Sequence, residues 1–191
     1  MSENKRLEDM TNEQLWELFP IKLTSHKDYW FDWYLEEEKE ITKILDKDNI
    51  NRISHIGSTA IKNIFAKPII DILIEVRNIT ELNIIKEKLQ LNNYICMSED
   101  KNRISLNKGY TINGFADKVF HIHLRLLGDN DELYFRDYLN KYENIAKEYE
   151  KLKLNLWKEY EYNRDMYTEM KTDFIFVNTV KAKKEIGLIY S

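Results

Sequence analysis

One carboxylate, Asp71, stands inside the apolar run Ile69-Ile70-Asp71-Ile72-Leu73-Ile74. A carboxylate withdrawn from water is costly unless it is paired, hydrogen-bonded or bound to a metal. Upstream, Gly57-Ser58-Thr59 reads as a tight turn opening a short helix, whose free amides and dipole suit phosphate. The same residues also read as a plain turn with Ser58 or Thr59 as helix cap. An acid facing a phosphate site could hold the divalent cation that accompanies phosphate. Downstream, His121-Ile122-His123 has the spacing at which two imidazoles reach one metal. It is equally the spacing of two polar side chains hydrogen-bonded along a cleft-facing strand. Asp71 therefore has two readings, a Mg²⁺ ligand beside bound phosphate or a structural partner of Lys67 or Arg125.

These groups need elements to hold them. The pattern predicts a strand over 50–56 that delivers the turn, then a short helix over 60–65 stopped by Lys67-Pro68. A strand over 69–76 follows, with Asp71, Leu73 and Glu75 on one face and Ile70, Ile72, Ile74 and Val76 on the other. Because both faces near Ile72 are apolar, this strand is expected to be central and covered on two sides. A strand over 119–126 sets His121, His123 and Arg125 on one face. Glu75 lies about 13 Å along its strand from Asp71, too far to share an ion.

Thr11 and Gln14 form a capping box for a short helix ending at Pro20. Trp30, Trp33, Tyr34, Ile41, Ile44 and Leu45 make one face of a helix, opposite a Glu-rich solvated face at 36–40. Thr80 is the expected cap of a helix burying Leu82, Ile85 and Leu89. Asn107-Lys108-Gly109 and Asn113-Gly114 signal turns between antiparallel strands. Beyond residue 131 the chain is helical, over 133–160 as one long or broken helix and over about 164–184, with Met166, Met170, Phe174, Val177 and Val180 as the apolar positions of the last helix.

Several segments together carry a resemblance: HIGSTAIKNIFAKPIIDILIEV over 55–76, FHIHLRL over 120–126, FRDYL over 135–139 and KEYEKLK over 147–153. With the Tyr167 and Lys171 spacing, they resemble the GrpB family, and the Gly-Ser turn before an acid-bearing strand resembles the wider nucleotidyltransferase superfamily. The resemblance implies an α/β (α+β) fold, a nucleotidyltransferase-like mixed β-sheet with flanking helices and a C-terminal helical segment. One domain over 1–191 is expected, with its core over about 21–127 and helices over about 131–187.

The resemblance also implies roles. Gly57, Ser58, Thr59, Lys67, Arg125, Arg136, Lys153 and Lys171 would bind phosphate or nucleotide. Asp71 would hold Mg²⁺, and His121 or His123 would orient or deprotonate an acceptor. Tyr149 with Lys153, and Tyr167 with Lys171, are four apart and share a helix face, so each pair could stack on a base and hold a phosphate. One departure matters: the superfamily strand carries a second acid two residues on, where this chain has Leu73. Two readings follow: a nucleotidyl- or phosphoryl-transferase, or a non-catalytic module binding a nucleotide or phosphorylated metabolite. A histidine-based phosphoesterase would need a second histidine motif that the chain lacks.

Composition bounds the rest. With 43% hydrophobic residues in 191, the chain can bury a sizeable core. A net charge of −4 argues against general nucleic-acid affinity. A single cysteine excludes an intramolecular disulfide, and no apolar run is long enough to span a membrane. A soluble cytoplasmic protein acting on a small molecule is expected; substrate and oligomeric state are left open.

Overall fold

Alternation of β-branched side chains with Asp71, Leu73 and Glu75 produces β2 (Ile70–Val76) in the computed structural model. The structure describes residues 6–45 and 47–190; residues 1–5, 46 and 191 of the expected span lie outside the described residues. β2 is flanked by β1 (Arg52–Ile56) and β5 (Gly114–Leu126), and β4 (Arg103–Thr111) and β3 (Ile95–Glu99) extend the sheet. The strand order is β1-β2-β5-β4-β3. β2 and β5 are parallel and every other pair is antiparallel, so the chain crosses over between them through α3 (Ile79–Gln90) and the β3–β4 pair.

The register aligns side chains on the polar face in rows. Ile56, Asp71, His121 and Asn107 form one row, and Ser54, Leu73, His123 and Ser105 the next. Arg52, Glu75, Arg125 and Arg103 form the third. Glu75 is fully buried, ion-paired to Arg52 at 2.7 Å and bonded by the Gly128 amide and Asn130, which pins the loop after β5.

The apolar face is covered by α2 (Tyr29–Ile44) and α3, whose Trp30, Tyr34, Ile41, Leu82, Ile85 and Leu89 pack on Ile70, Ile72, Ile74 and Val76. The Glu-rich face of α2 is not wholly solvated. Glu37 is buried, bonded by the Tyr94 hydroxyl and by Lys108 Nζ at 2.8 Å, two side chains that reach it from beside β3 and from β4. The polar face is covered by α4 (Asp131–Lys141), α5 (Glu143–Tyr160), α6 (Arg164–Glu169) and α7 (Thr172–Ile186). α1 (Asn12–Leu18) has the expected capping box, with Thr11 and Gln14 bonded reciprocally at 3.1 and 3.3 Å. Among the described residues, no helix is long and apolar enough to cross a membrane.

Several local expectations are corrected. After the turn there is one 3-10 turn, Ser58–Ala60, and no helix over 60–65, because the chain is already extended at Ile61 (φ −103, ψ 124) and Asn63 then turns to φ 60. Asn107-Lys108-Gly109 is not a turn; it lies within β4, where Gly109 at φ 92 permits a bulge between Lys108 and Tyr110. Asn78, not Thr80, caps α3, accepting the Glu81 amide at 3.0 Å. Of the two C-terminal helical stretches, the first is broken at Tyr142, one of the two forms expected of it, and the last, expected as one helix, breaks around Met170. The second break shifts the phase of the last helix, so α7 buries Asn178, Thr179 and Ala182 while Met170 and Val177 are exposed.

Candidate functional site

Where the polar face of β2 and β5 meets α4 to α7, a cavity of about 640 Å³ opens. It exceeds a second cavity of about 440 Å³ that shares Lys67 and Arg164 with it. Of the residues expected to do chemistry, Gly57, Ser58, Lys67, Asp71, His121, His123, Lys153 and Lys171 line it together.

Gly57 holds φ 71 and ψ −171, a conformation open to glycine, and a Cβ there would stand 2.2 Å from Asp71 Oδ2. The turn thus lies directly on the carboxylate. Asp71 Oδ1 faces His121 Nδ1 at 3.4 Å and His123 Nε2 at 3.1 Å. Burial alone would raise this carboxyl, but the two imidazole contacts prevail and hold it well below the usual carboxylate range.

The outer imidazole nitrogens decide the tautomers. Arg125 has only donors, and its Nη2 lies 3.3 Å from His123 Nδ1, so that nitrogen accepts and Nε2–H points at Asp71. Arg164 donates to the Tyr110 hydroxyl at 3.0 Å, leaving that O–H to donate to His121 Nε2 at 2.8 Å. The Nδ1–H of His121 then faces Asp71; the opposite tautomer would set a lone pair against a carboxylate. Burial lowers the His121 pKa, against the pull of Asp71, which keeps the ring neutral at pH 7.

Three lysines supply the other character of the cavity. Lys153 is buried, donates to the Phe65 carbonyl at 2.5 Å and sits 4.7 Å over the Tyr149 ring. Lys171 lies 4.2 Å and Lys67 5.3 Å from the Tyr167 ring. None of the three is in an ion pair among the described residues. Burial pushes Lys67 down to about 7, helped by Lys171 and Arg164 and opposed by Asp71. Burial also brings Lys171 down to about 8 and holds Lys153 well below its ordinary value. Tyr149 and Lys153 share one face of α5 as their spacing implies, whereas Tyr167 is on α6 and Lys171 lies past its end before α7; in both pairs the lysine sits over the ring of its own tyrosine.

Thr59, Arg125 and Arg136 are not brought to the cavity. Thr59 is buried, its hydroxyl donating to the Ile69 carbonyl at 3.1 Å and contacting His55 Nε2 at 2.9 Å, so it ties the turn to the start of β2. Arg125 gives its Nη atoms to the Ile104 and Leu124 carbonyls and to His123, and its Nε is buried without a partner. Arg136 projects toward β1, bonding the His55 carbonyl at 2.8 Å and pairing with Asp137. The single 3-10 turn at Ser58 is too short to build a helix dipole, so the positive charge at the cavity is that of side chains, its lysines among them. Sequence reasoning missed Tyr110, Arg164 and Glu132. The first was hidden by reading its bulge as a turn; the alternation resuming after Gly109 was the available signal.

The ligand atoms of Asp71, His121 and His123 lie within 4.8 Å of one another, near enough to share an ion. Their chemistry does not fit Mg²⁺, which takes hard oxygen ligands, whereas this group offers one carboxylate and two imidazoles. Binding any metal through His123 Nε2 would also put a proton on Nδ1, against the Arg125 guanidinium. A metal-bound histidine normally needs an acceptor there. Purified protein equilibrated with Zn²⁺ or Mg²⁺ and then desalted is expected to retain neither at stoichiometry by elemental analysis. Stoichiometric Zn²⁺ that disappears in His121→Ala would contradict the tautomers assigned above.

Comparison with known proteins adds identity. The sequence model of the family described as GrpB protein matches residues 20–181. UPF0157 protein YqkA of Bacillus subtilis (strain 168) is 35% identical over 167 residues, 86% of this chain; the chain spans 48% of that relative's length. The crystal structure of the conserved protein GrpB from Enterococcus faecalis superposes with a TM-score of 0.74 at 30% identity, covering 86% of this chain and 98% of that one. Cid1, in complex with its short product ApU, superposes at a TM-score of 0.50 and 11% identity over 78% of this chain and 45% of its own, a likeness of fold alone. The five-stranded mixed sheet with flanking helices is thus a nucleotidyltransferase-like fold, and the chain belongs to the GrpB family.

Proposed function

We propose that this protein binds a nucleotide or another phosphorylated small molecule in the cavity above β2 and β5. The observation that carries the reading is the convergence of Lys67, Lys153 and Lys171 on one cavity, none of them in an ion pair among the described residues. Desolvated ammonium groups held close together are costly in the free protein, and a phosphate offsets that cost with charge-assisted hydrogen bonds. The cavity volume lies in the range of small-ligand sites.

Group transfer to an acceptor hydroxyl is the second reading, favoured by the Asp71–His123 pair in the same cavity. It needs a base, and the site supplies a weak one. The carboxylate that the imidazoles hold ionised has little affinity for a proton. Each imidazole lone pair is already taken, by Tyr110 in one ring and Arg125 in the other. Binding without turnover is therefore the better supported of the two.

Thermal unfolding in the presence of pyrophosphate and the common nucleotides, with EDTA and then with Mg²⁺, tests this. A ligand at a hundred times its Kd adds about 2.7 kcal/mol, a rise in Tm of about 5–10 °C for a chain of this size. The rise is expected in EDTA. A flat Tm with every anion at millimolar concentration would remove the proposal.

A further inference from the structure

If the cavity receives phosphate at its lysine end, as proposed above, the opposite end selects what the phosphate is attached to. Glu132 is the second residue of α4 and lines the same cavity. Its Oε2 is buried with no hydrogen-bond partner, and Glu132 is in no ion pair among the described residues. A buried oxygen without a donor is a standing penalty, and a carboxylate oxygen more so than a neutral one.

Of the neighbouring cations, Arg103 is clasped by Asp129 at 2.5 and 2.6 Å. Arg125 gives its Nη atoms to two carbonyls and His123, while its Nε is itself buried without a partner and does not bond Glu132. Lys183 is held by Asp131. Arg103 and Arg125 lie close enough to feel the charge of Glu132, which places it beside the third row of the sheet. That row lies four residues along β5 from His121, about 13 Å from the Asp71 row, and Lys67 stands beyond Asp71 in the other direction. The cavity is therefore polarised along the strands, ammonium groups at one end and an unanswered carboxylate oxygen at the other.

We infer that the cavity takes a nucleoside di- or triphosphate in one orientation, its phosphates on Lys67, Lys153 and Lys171 and a ribose hydroxyl or base amino group donating to Glu132 Oε2. Glu132 is then a specificity-determining residue. It rewards ligands that bring a donor and leaves one buried oxygen unanswered for those that do not.

The test compares inorganic pyrophosphate with ADP, GDP, CDP and UDP by calorimetric titration of the full chain and of Glu132→Gln, with Tm measured for both. The wild type is expected to bind at least one nucleoside diphosphate about tenfold or more tighter than pyrophosphate, the margin of one charge-assisted hydrogen bond. Glu132→Gln, which removes the charge and replaces one carboxylate oxygen by an N–H₂ group at nearly the same size, is expected to erase that margin. It should leave pyrophosphate affinity and Tm essentially unchanged. The 2′,3′-dideoxy form of the best ligand locates the donor: loss of the margin places it on the ribose, and retention places it on the base.

A margin that survives Glu132→Gln overturns the inference, as does a wild type without one. A variant that loses Tm and pyrophosphate affinity together would mark Glu132 as the structural counter-charge of Arg125, which also overturns it. Failure of pyrophosphate and of every diphosphate to bind defeats the phosphate reading itself, and this inference with it.

Discussion

Asp71→Asn is expected to lower stability at pH 7 by about 2–3 kcal/mol, a fall in Tm of roughly 5–10 °C. Asparagine keeps one acceptor for the two imidazole N–H groups but removes the charge that they face and that acts at longer range on Lys67 and Lys171. Its new N–H₂ group has only donors and the Gly57 turn for neighbours. The pH dependence has a definite sign. The folded carboxyl titrates below its unfolded value near 3.8, so its stabilisation is complete above that value and drains away as the pH falls below it. Urea unfolding at pH 7 and pH 3 should show a loss in the wild type that Asp71→Asn largely lacks. Pyrophosphate affinity in EDTA should survive the substitution, because Asp71 bridges no cation to the ligand. Loss of binding with unchanged stability would identify Asp71 as a ligand-site group and nothing more.

Lys67→Met should act in the opposite direction on stability. The lysine is depressed to about 7 by burial and by Lys171 and Arg164, so between that pH and 10.5 the unfolded chain binds a proton that the folded chain rejects. The free protein therefore gains stability as pH rises from about 7 toward 10. Methionine fills much the same volume without the charge. The expected gain is roughly 1–2 kcal/mol, or about 2–8 °C in Tm, with a flatter alkaline profile. The same change should weaken pyrophosphate by about ten- to a hundredfold, the worth of one charge-assisted hydrogen bond. In the wild type, affinity should fall as pH climbs through the range in which Lys67 and Lys171 lose their protons. A less stable variant that binds normally would show that Lys67 is a structural cation.

The central elements of the site were legible because alternation is a strong constraint. Asp71 could share a face with Leu73 and Glu75 only, and His121 with His123 and Arg125 only, and the parallel β2–β5 register sets those faces side by side. The Tyr149–Lys153 and Tyr167–Lys171 pairs were legible for the same reason on helices. What periodicity does not encode is which of several neighbours a long side chain reaches. Arg136 sits in a segment with the family pattern, yet its guanidinium turns to the His55 carbonyl and away from the cavity. Thr59 reads as a phosphate-turn hydroxyl but is consumed by Ile69. Glu132 in the sequence is an ordinary first-turn acid; only burial of one oxygen without a partner sets it apart.

Leu73 bears on how the fold could change its chemistry over generations. Its side chain is fully buried with Ile56 and Leu133, at the seam where α4 rests on the sheet. An aspartate there would restore the paired acids of a metal-dependent transferase in sequence, but would set an uncompensated charge into that seam. The penalty would fall on the helix that also carries Glu132 and Phe135. A lineage crossing between the two chemistries has to rebuild Ile56, Leu73 and Leu133 together, and every single-substitution intermediate loses stability before it gains a metal. In a laboratory selection for metal-dependent turnover, libraries that vary position 73 alone start on the wrong side of that valley.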